Sequence, residues 1–275
     1  MLDLILVQMN SSLGNKQANF AKVRSLLNAV RPGSLIILPE TFATGYLPKN
    51  PSEYAEDFSS RDQGETAKFL SDLANETGCT VMGAGIALNS DGKLRNHSSV
   101  YAPGCNTEIA CYDKVHPFFP ELKDFKPGSE FNLFKIASTA SSNPNNDGVC
   151  SQWTVGSAIC YDLRFPELFR DITKKGARLI TVQAAWPTVR IEHWITLLKA
   201  RAIENQVYIA AVNGVSNQEN AIGGIPLGGT SLVISPLGEI LASGNSTDEC
   251  VIKCTICSKS QEEYRNSFPV LKGIV

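Results

Sequence analysis

The chain has 275 residues, a mass of 29.8 kDa and a formal net charge of −2, with charged residues at 19 % against the usual quarter. It has no basic stripe to suit a nucleic-acid partner, and no stretch approaches the ~18 apolar residues of a membrane span. The eight cysteines are scattered through strand-like segments, which suits reduced thiols in a cytosol better than a disulfide framework.

The opening MLDLILVQMN lacks a basic region and reads as a strand, Leu4 to Met9, not a signal peptide. Asn15 to Val30 reads as a helix, with Phe20, Val23, Leu27 and Val30 at helical spacing. A second strand, Leu35 to Leu38, runs into Pro39 and Glu40. Phe69, Leu70, Leu73 and Thr77 mark a helix ending at Gly78. Strands follow at Thr80 to Ile86, Ser98 to Tyr101 and Glu108 to Tyr112, the first two joined by the turn-rich Asn89-Ser-Asp-Gly92. Residues 113 to 130 form a proline-stiffened loop, and after a strand at Phe131 to Ile136 the polar stretch Ser138 to Gly148 reads as a hairpin loop. The later half alternates: strand Trp153 to Ile159, helix Pro166 to Lys174, strand Leu179 to Ala184, helix Ile191 to Asn205 and strand Val207 to Val212. Thr230 to Ser235, Ile240 to Leu241 and Val251 to Thr255 close the pattern. No internal repeat of useful strength is present. Alternating strands and helices with interleaved hairpins predict one α/β layered domain spanning residues 1–275.

Three strands end in groups that carry chemistry: Leu35 to Leu38 in Glu40, the strand before Lys114 in that lysine, and Trp153 to Ile159 in Cys160. In layered α/β proteins reactive groups gather at the carboxyl ends of strands, so the three are expected to converge on one cleft. Cys160 falls at a strand-to-helix turn. There a sulfur is exposed on a tight elbow beside free backbone N–H groups, which equips it to attack a carbonyl and stabilise the resulting oxyanion.

The stretches LPETFATGY, YDKVHPF and AICYDLRFPELFR, with QAAWP, HWITLLKARAIENQVYIAAVN and GGTSLVISPLGEIL, together resemble the nitrilase, or carbon–nitrogen hydrolase, superfamily from Leu2 to about Pro269. The CYDLRFP elbow, the segment Trp186 to Trp194 and the YRNSFPV tail are most similar to its bacterial omega-amidase branch. The resemblance implies a four-layer αββα sandwich and a Glu40–Lys114–Cys160 triad that hydrolyses an amide through a thioester, with no metal or organic cofactor. It also implies a second pocket glutamate at Glu121, in a loop about two residues shorter than in many relatives, and the backbone N–H of Tyr161 beside the oxyanion. A two-fold dimer through the helix Ile191 to Asn205 and the one after Cys160 is a further implication. The branch implies as substrate the omega-amide of a 2-oxo dicarboxylic acid, 2-oxoglutaramate or 2-oxosuccinamate; an N-carbamoyl amine, a nitrile or deaminated glutathione are alternatives that fit the same chemistry. A synthetase glutaminase domain and a catalytically idle scaffold are the more distant readings.

Arg190 follows Trp186-Pro187 just past a strand end, where a guanidinium can take a substrate carboxylate in a two-pronged pair or stand as a surface charge. Arg164 and Arg201 read as structural ion-pair partners. His97, in a turn after Asn96, His116 and His193 read as structural, since none fits a cysteine-protease arrangement. Cys254 and Cys257 form a lone CxxC on a strand, where residues three apart face opposite ways and oppose both zinc and disulfide. The glycines of Gly223 to Gly229 read as a loop at the pocket mouth.

Overall fold

Side chains alternate across a strand, so each strand here feeds two apolar layers. The computed structural model describes residues 1–137, 152–216 and 224–273. In it β1 (Leu2–Gln8) sends Leu2, Leu4 and Leu6 to one side and Ile5 and Val7 to the other. The second set meets Phe20 and Val23 of α1 (Lys16–Leu26) and Phe69, Leu70 and Leu73 of α2 (Glu65–Thr77), with Phe20 and Phe69 stacked at 4.3 Å. The first set faces a second sheet, meeting Trp153, Val155, Leu179 and Tyr208. That sheet's far side carries Ala158, Ile180 and Val182 against Phe169 and Ile172 of α3 (Pro166–Lys174) and Trp194, Leu198 and Ala202 of α4 (Ile191–Asn205). Three apolar layers between four layers of structure, two helical and two of sheet, give the expected αββα sandwich.

The first sheet contains β1, β2 (Leu35–Ile37), β3 (Thr80–Leu88), β4 (Leu94–Tyr101) and β5 (Ala110–Asp113), with β12 (Cys250–Ile256) at the outer edge beside β1. The second runs β6 (Phe134–Ala137), β7 (Gln152–Ile159), β8 (Leu179–Ala184), β9 (Tyr208–Asn213), β10 (Leu232–Ile234) and β11 (Ile240–Ser243). Read from β12 and from β6, successive pairings are antiparallel, parallel, parallel, antiparallel, antiparallel in both sheets. Each parallel trio is linked by two helices. The backbone thus repeats an architecture that the amino-acid sequence does not.

Gln183 and Gln8 tie the two sheets together across the central layer. Gln183 of β8 donates to the Leu38 carbonyl of the other sheet (2.7 Å) and accepts from the Ser98 hydroxyl of β4 (2.5 Å). Gln8 of β1 accepts from the Ser231 amide (3.0 Å) and hydroxyl (2.9 Å).

Several expected boundaries move. The first helix stops at Leu26, not Val30: Asn15 caps it by accepting from the Ala18 amide, and Ala29 takes a φ of 48°, which no helix continues through. β4 begins at Leu94, so His97 lies inside a strand and not in a turn; cross-strand pairing with β3 and β5 overrides the polar look of Arg95-Asn96-His97. β5 starts two residues later than expected, and β6 covers Phe134–Ala137 rather than Phe131 to Ile136. An additional helix, α5 (Ser258–Ser267), follows β12. The polar stretch Ser138 to Gly148 lies outside the described residues, as does Gly223. No helix among the described residues is long and apolar enough to cross a membrane.

Candidate active site

β5 is antiparallel to β4 and β4 to β3, so β5 runs with the parallel strands, and β2, β5, β7 and β8 all deliver their following residues to one end of the sandwich. β7 ends at Ile159, and a tight turn over Cys160–Arg164 follows. Cys160 sits at its first position with φ 48°, a left-handed conformation that a side chain adopts only at a cost of about 1–3 kcal/mol, and Thr41 next to Glu40 is at φ 47°. The turn is held from beneath. Buried Asp162 accepts from the Ile159 amide (2.9 Å), the Tyr112 hydroxyl (2.7 Å) and both the amide and ring Nδ1 of His116 (2.9 Å each). Arg201 donates twice to the Leu163 carbonyl and pairs with Glu204 (3.1 Å), the structural role expected for it.

Above the turn lies a fully buried charge cluster. The Lys114 ammonium donates to Glu40 Oε1 and to Glu121 Oε2, each at 2.8 Å. The Asn96 amide nitrogen, from β4, donates to Glu40 Oε1 (2.8 Å) and Glu121 Oε1 (2.9 Å). The Ala185 amide donates to Glu40 Oε2 (2.9 Å), and the Phe118 amide to Glu121 Oε2. The cluster thus holds two carboxylates and one cation, and a carboxylate buried beyond the reach of water needs such partners. Burial pushes the Glu40 carboxyl up, against the pull of Lys114. Burial alone would lower Lys114, but Glu40 and Glu121 outweigh it and hold the ammonium well above its ordinary value. Cys160 lies within hydrogen-bonding reach of Glu40 and the Ala185 amide; burial, then the Glu40 charge, raises its thiol well above the usual range. Burial and the neighbouring carboxylate both disfavour the Cys160 anion.

Cys160 opens on a cleft of about 460 Å3 walled by Tyr46, Phe118, Phe119, Tyr161, Trp186 and Arg190, among others. Glu40 lines instead a small cavity of about 30 Å3, with Tyr46 and Ala185 common to both. Burial holds the Tyr46 hydroxyl well above its ordinary pKa, so it remains a donor. Trp186 is anchored by its ring N–H on the Arg190 carbonyl (2.7 Å) and by its amide on Asn213 (2.6 Å).

All seven residues singled out in the sequence meet here. Glu40, Lys114, Cys160 and Glu121 are in mutual contact or reach, and Tyr161, Trp186 and Arg190 line the cleft. Two expectations change. Arg164 has its guanidinium 4.8 Å from the Trp186 ring centre and 5.8 Å from that of Tyr161, in the cleft wall, and not in a structural ion pair; the elbow's tight turn swings it outward. His193 lies on the same wall, whereas His97 and His116 are tied to carboxylates away from it. Ile225 lines the cleft, as expected for the glycine-rich loop. Cys254 and Cys257 are both free thiols. Asn96, Tyr46 and the Ala185 amide escaped sequence reasoning; Tyr46 ends the LPETFATGY stretch, a signal that was available.

The sequence profile of the carbon–nitrogen hydrolase family matches residues 5–266. A 2-oxoglutaramate amidase of Bacillus subtilis is 32 % identical over 275 residues, covering 98 % of this chain and 95 % of its own. An omega-amidase of Homo sapiens is 31 % identical, covering 98 % and 93 %. Among solved structures, a CN-hydrolase superfamily protein from Xanthomonas campestris superposes with a TM-score of 0.82 at 28 % identity, covering 100 % of this chain and 97 % of that one. A nitrilase-superfamily protein of Saccharomyces cerevisiae gives 0.81 at 26 % identity, covering 98 % and 94 %. With this architecture and with Glu40, Lys114 and Cys160 gathered at one end of it, the chain belongs to the carbon–nitrogen hydrolase family.

Proposed function

We propose that this protein is an amidase that releases ammonia from a small carboxyamide through a thioester on Cys160. The observation that carries the reading is the Glu40 carboxyl group, buried beside Cys160 and held by donors from Lys114, Asn96 and the Ala185 amide. A neutral thiol must lose its proton as it attacks, and Glu40 is placed to take it. The carbonyl oxygen then becomes an oxyanion. Lys114 has three N–H donors, two of them used by Glu40 and Glu121, which leaves the third for that oxygen together with the Tyr161 amide. The carbon–nitrogen bond breaks as Glu40 passes its proton to the departing nitrogen, giving ammonia and an acyl-thioester. Glu40 next takes a proton from water; the hydroxide displaces the sulfur, which recovers its proton, and the free acid leaves.

For the substrate, the curated relatives favour the omega-amide of a 2-oxo dicarboxylic acid. Such a molecule carries a carboxylate opposite its amide, and Arg190 and Arg164 stand in the cleft as cations for it. On an acid such as 2-oxoglutaramate, Arg190→Met should lower kcat/KM by roughly 10- to 100-fold, matching ~1.5–3 kcal/mol for a charged hydrogen bond, with little change on propionamide. Equal losses on both would make Arg190 structural.

The experiment for the chemistry is intact-protein mass spectrometry on a slow amide: an acyl adduct on Cys160, and no ammonia release in Cys160→Ala with the fold retained. An adduct on another cysteine, or an active Cys160→Ala, overturns the proposal. Carbon dioxide release or nitrile consumption in a product assay would move the substrate to an N-carbamoyl amine or a nitrile. The reading extends to a two-fold dimer through α3 and α4, where Ile203 stays 48 % exposed in the single chain; a light-scattering mass near 29.8 kDa counts against it.

A further inference from the structure

β4 and β5 are an antiparallel pair in which His97 faces Asp113 and Ser99 faces Cys111. Positions two apart share a face, so His97, Ser99, Cys111 and Asp113 all emerge on one side, and His97 and Cys111 are diagonal neighbours. This is the outer side, away from Asn96 and the amidase residues. Glu108, just before β5, reaches onto the same patch, where its Oε2 lies 3.2 Å from His97 Nε2 and 2.6 Å from the Ser99 hydroxyl. One imidazole nitrogen, one carboxylate oxygen and one thiol sulfur thereby come within 4.8 Å of one another.

We propose that His97, Glu108 and Cys111 bind a zinc ion on this outer face. The donor set is mixed. Sulfur and imidazole favour zinc or cobalt over magnesium or calcium, and three protein ligands leave a fourth tetrahedral position for water. Glu108 and Cys111 are only half-buried, so that position is reachable from solvent. The ring of His97 is oriented as a ligand requires. Its Nδ1 faces Asp113 Oδ1 at 2.7 Å, which leaves Nε2 to point at the other two donors, and Asp113 is itself fixed by Asn89 (2.9 Å). A carboxylate behind the histidine and a hydroxyl behind the glutamate are the outer partners that metal ligands characteristically have. On binding, the Cys111 thiol and the His97 ring each give up a proton to solvent, so that thiolate and glutamate balance the dication. The site would clamp β4 to β5, two strands that also carry Asn96 and Lys114.

The test uses the full chain with Cys160→Ala, so that the buried thiol at the cleft does not compete for metal; it is independent of whether the protein is an amidase. After chelator treatment and loading with zinc alone, one zinc per chain should survive desalting, and the melting temperature should rise by several degrees. X-ray absorption should find a single sulfur at about 2.3 Å with nitrogen and oxygen at about 2.0–2.1 Å. Cobalt in its place should show a thiolate-to-metal charge-transfer band. Adding Cys111→Ala should abolish the band and the sulfur scatterer, and adding His97→Gln should abolish retention. Should either variant fail to fold, the absorption spectrum of the parent alone decides. No retained zinc, a shell without sulfur, or a band that survives Cys111→Ala would overturn the proposal.

Discussion

Asn96 and His97 are consecutive on one strand and belong to two clusters of the same arithmetic, one cation and two carboxylates on either side of one sheet. On the inner face Lys114 holds Glu40 and Glu121, with Asn96 bridging the pair. On the outer face His97 holds Asp113 and Glu108. The settings differ. The inner carboxylate side chains are 0 % and 1 % exposed, whereas Asp113 and Glu108 are 22 % and 15 % exposed. Where water is absent every donor must come from the protein, and a missing partner cannot be replaced; where water reaches one edge, it can. The inner cluster is thus fixed before any substrate arrives, which electrostatic catalysis requires. The outer cluster tolerates exchange of its partners.

The largest expected effect breaks the inner cluster. Lys114→Met leaves two buried carboxylates without their cation, so stability should fall by about 3–5 kcal/mol in urea unfolding and turnover by at least ~100-fold. An unchanged unfolding midpoint would show that the cluster readily neutralises itself. Next in size is a matched pair on the shared strand. Asn96→Leu removes a donor from both inner glutamates, costing about 1–3 kcal/mol together with turnover, while His97→Leu in the metal-free protein should cost less and spare turnover. Equal losses of activity in both would mean that the two faces are not separate. The smallest effect sharpens the inner side alone. Glu40 works as a base only when ionised, and burial raises its pKa, so kcat/KM should fall as pH drops through a value above the ordinary carboxylate range. Asn96→Leu, by removing a donor to the charged form, should move that acidic limb further up.

The alternation of strands and helices was legible because runs such as Leu4 to Met9 and spacings such as Phe20, Val23 and Leu27 are local, whereas the four layers came from the family resemblance, since which faces of the strands meet depends on the partner sheet. Glu40, Lys114 and Cys160 were legible because each follows a short apolar strand directly. Asn96 and His97 were not, since a polar pair inside a strand looks like a turn until its neighbours across β3 and β5 are known. Arg164 was misread for a related reason: its partners are the Trp186 and Tyr161 rings, and Trp186 lies far along the chain on another strand's end. The matching of the two sheets is invisible in the sequence because it resides in strand direction, which side chains do not encode individually.

The ties made by Gln183 and Gln8 have a consequence for alignment. The base and the cation hang from one sheet, the sulfur and the Ala185 amide from the other, and the layer between them helps to set their separation. Greasy contacts are indifferent to a slide of an ångström or so, because one methyl surface is much like the next. Hydrogen bonds are not: Gln183 must find the Leu38 carbonyl two residues before Glu40, and its own strand ends one residue later, just before Ala185. Together with the bonds of Asp162 and the Ala185 amide, the two glutamines act as dowels between the halves, turning an approximate stack of sheets into a jig that holds a sulfur and a carboxylate in register.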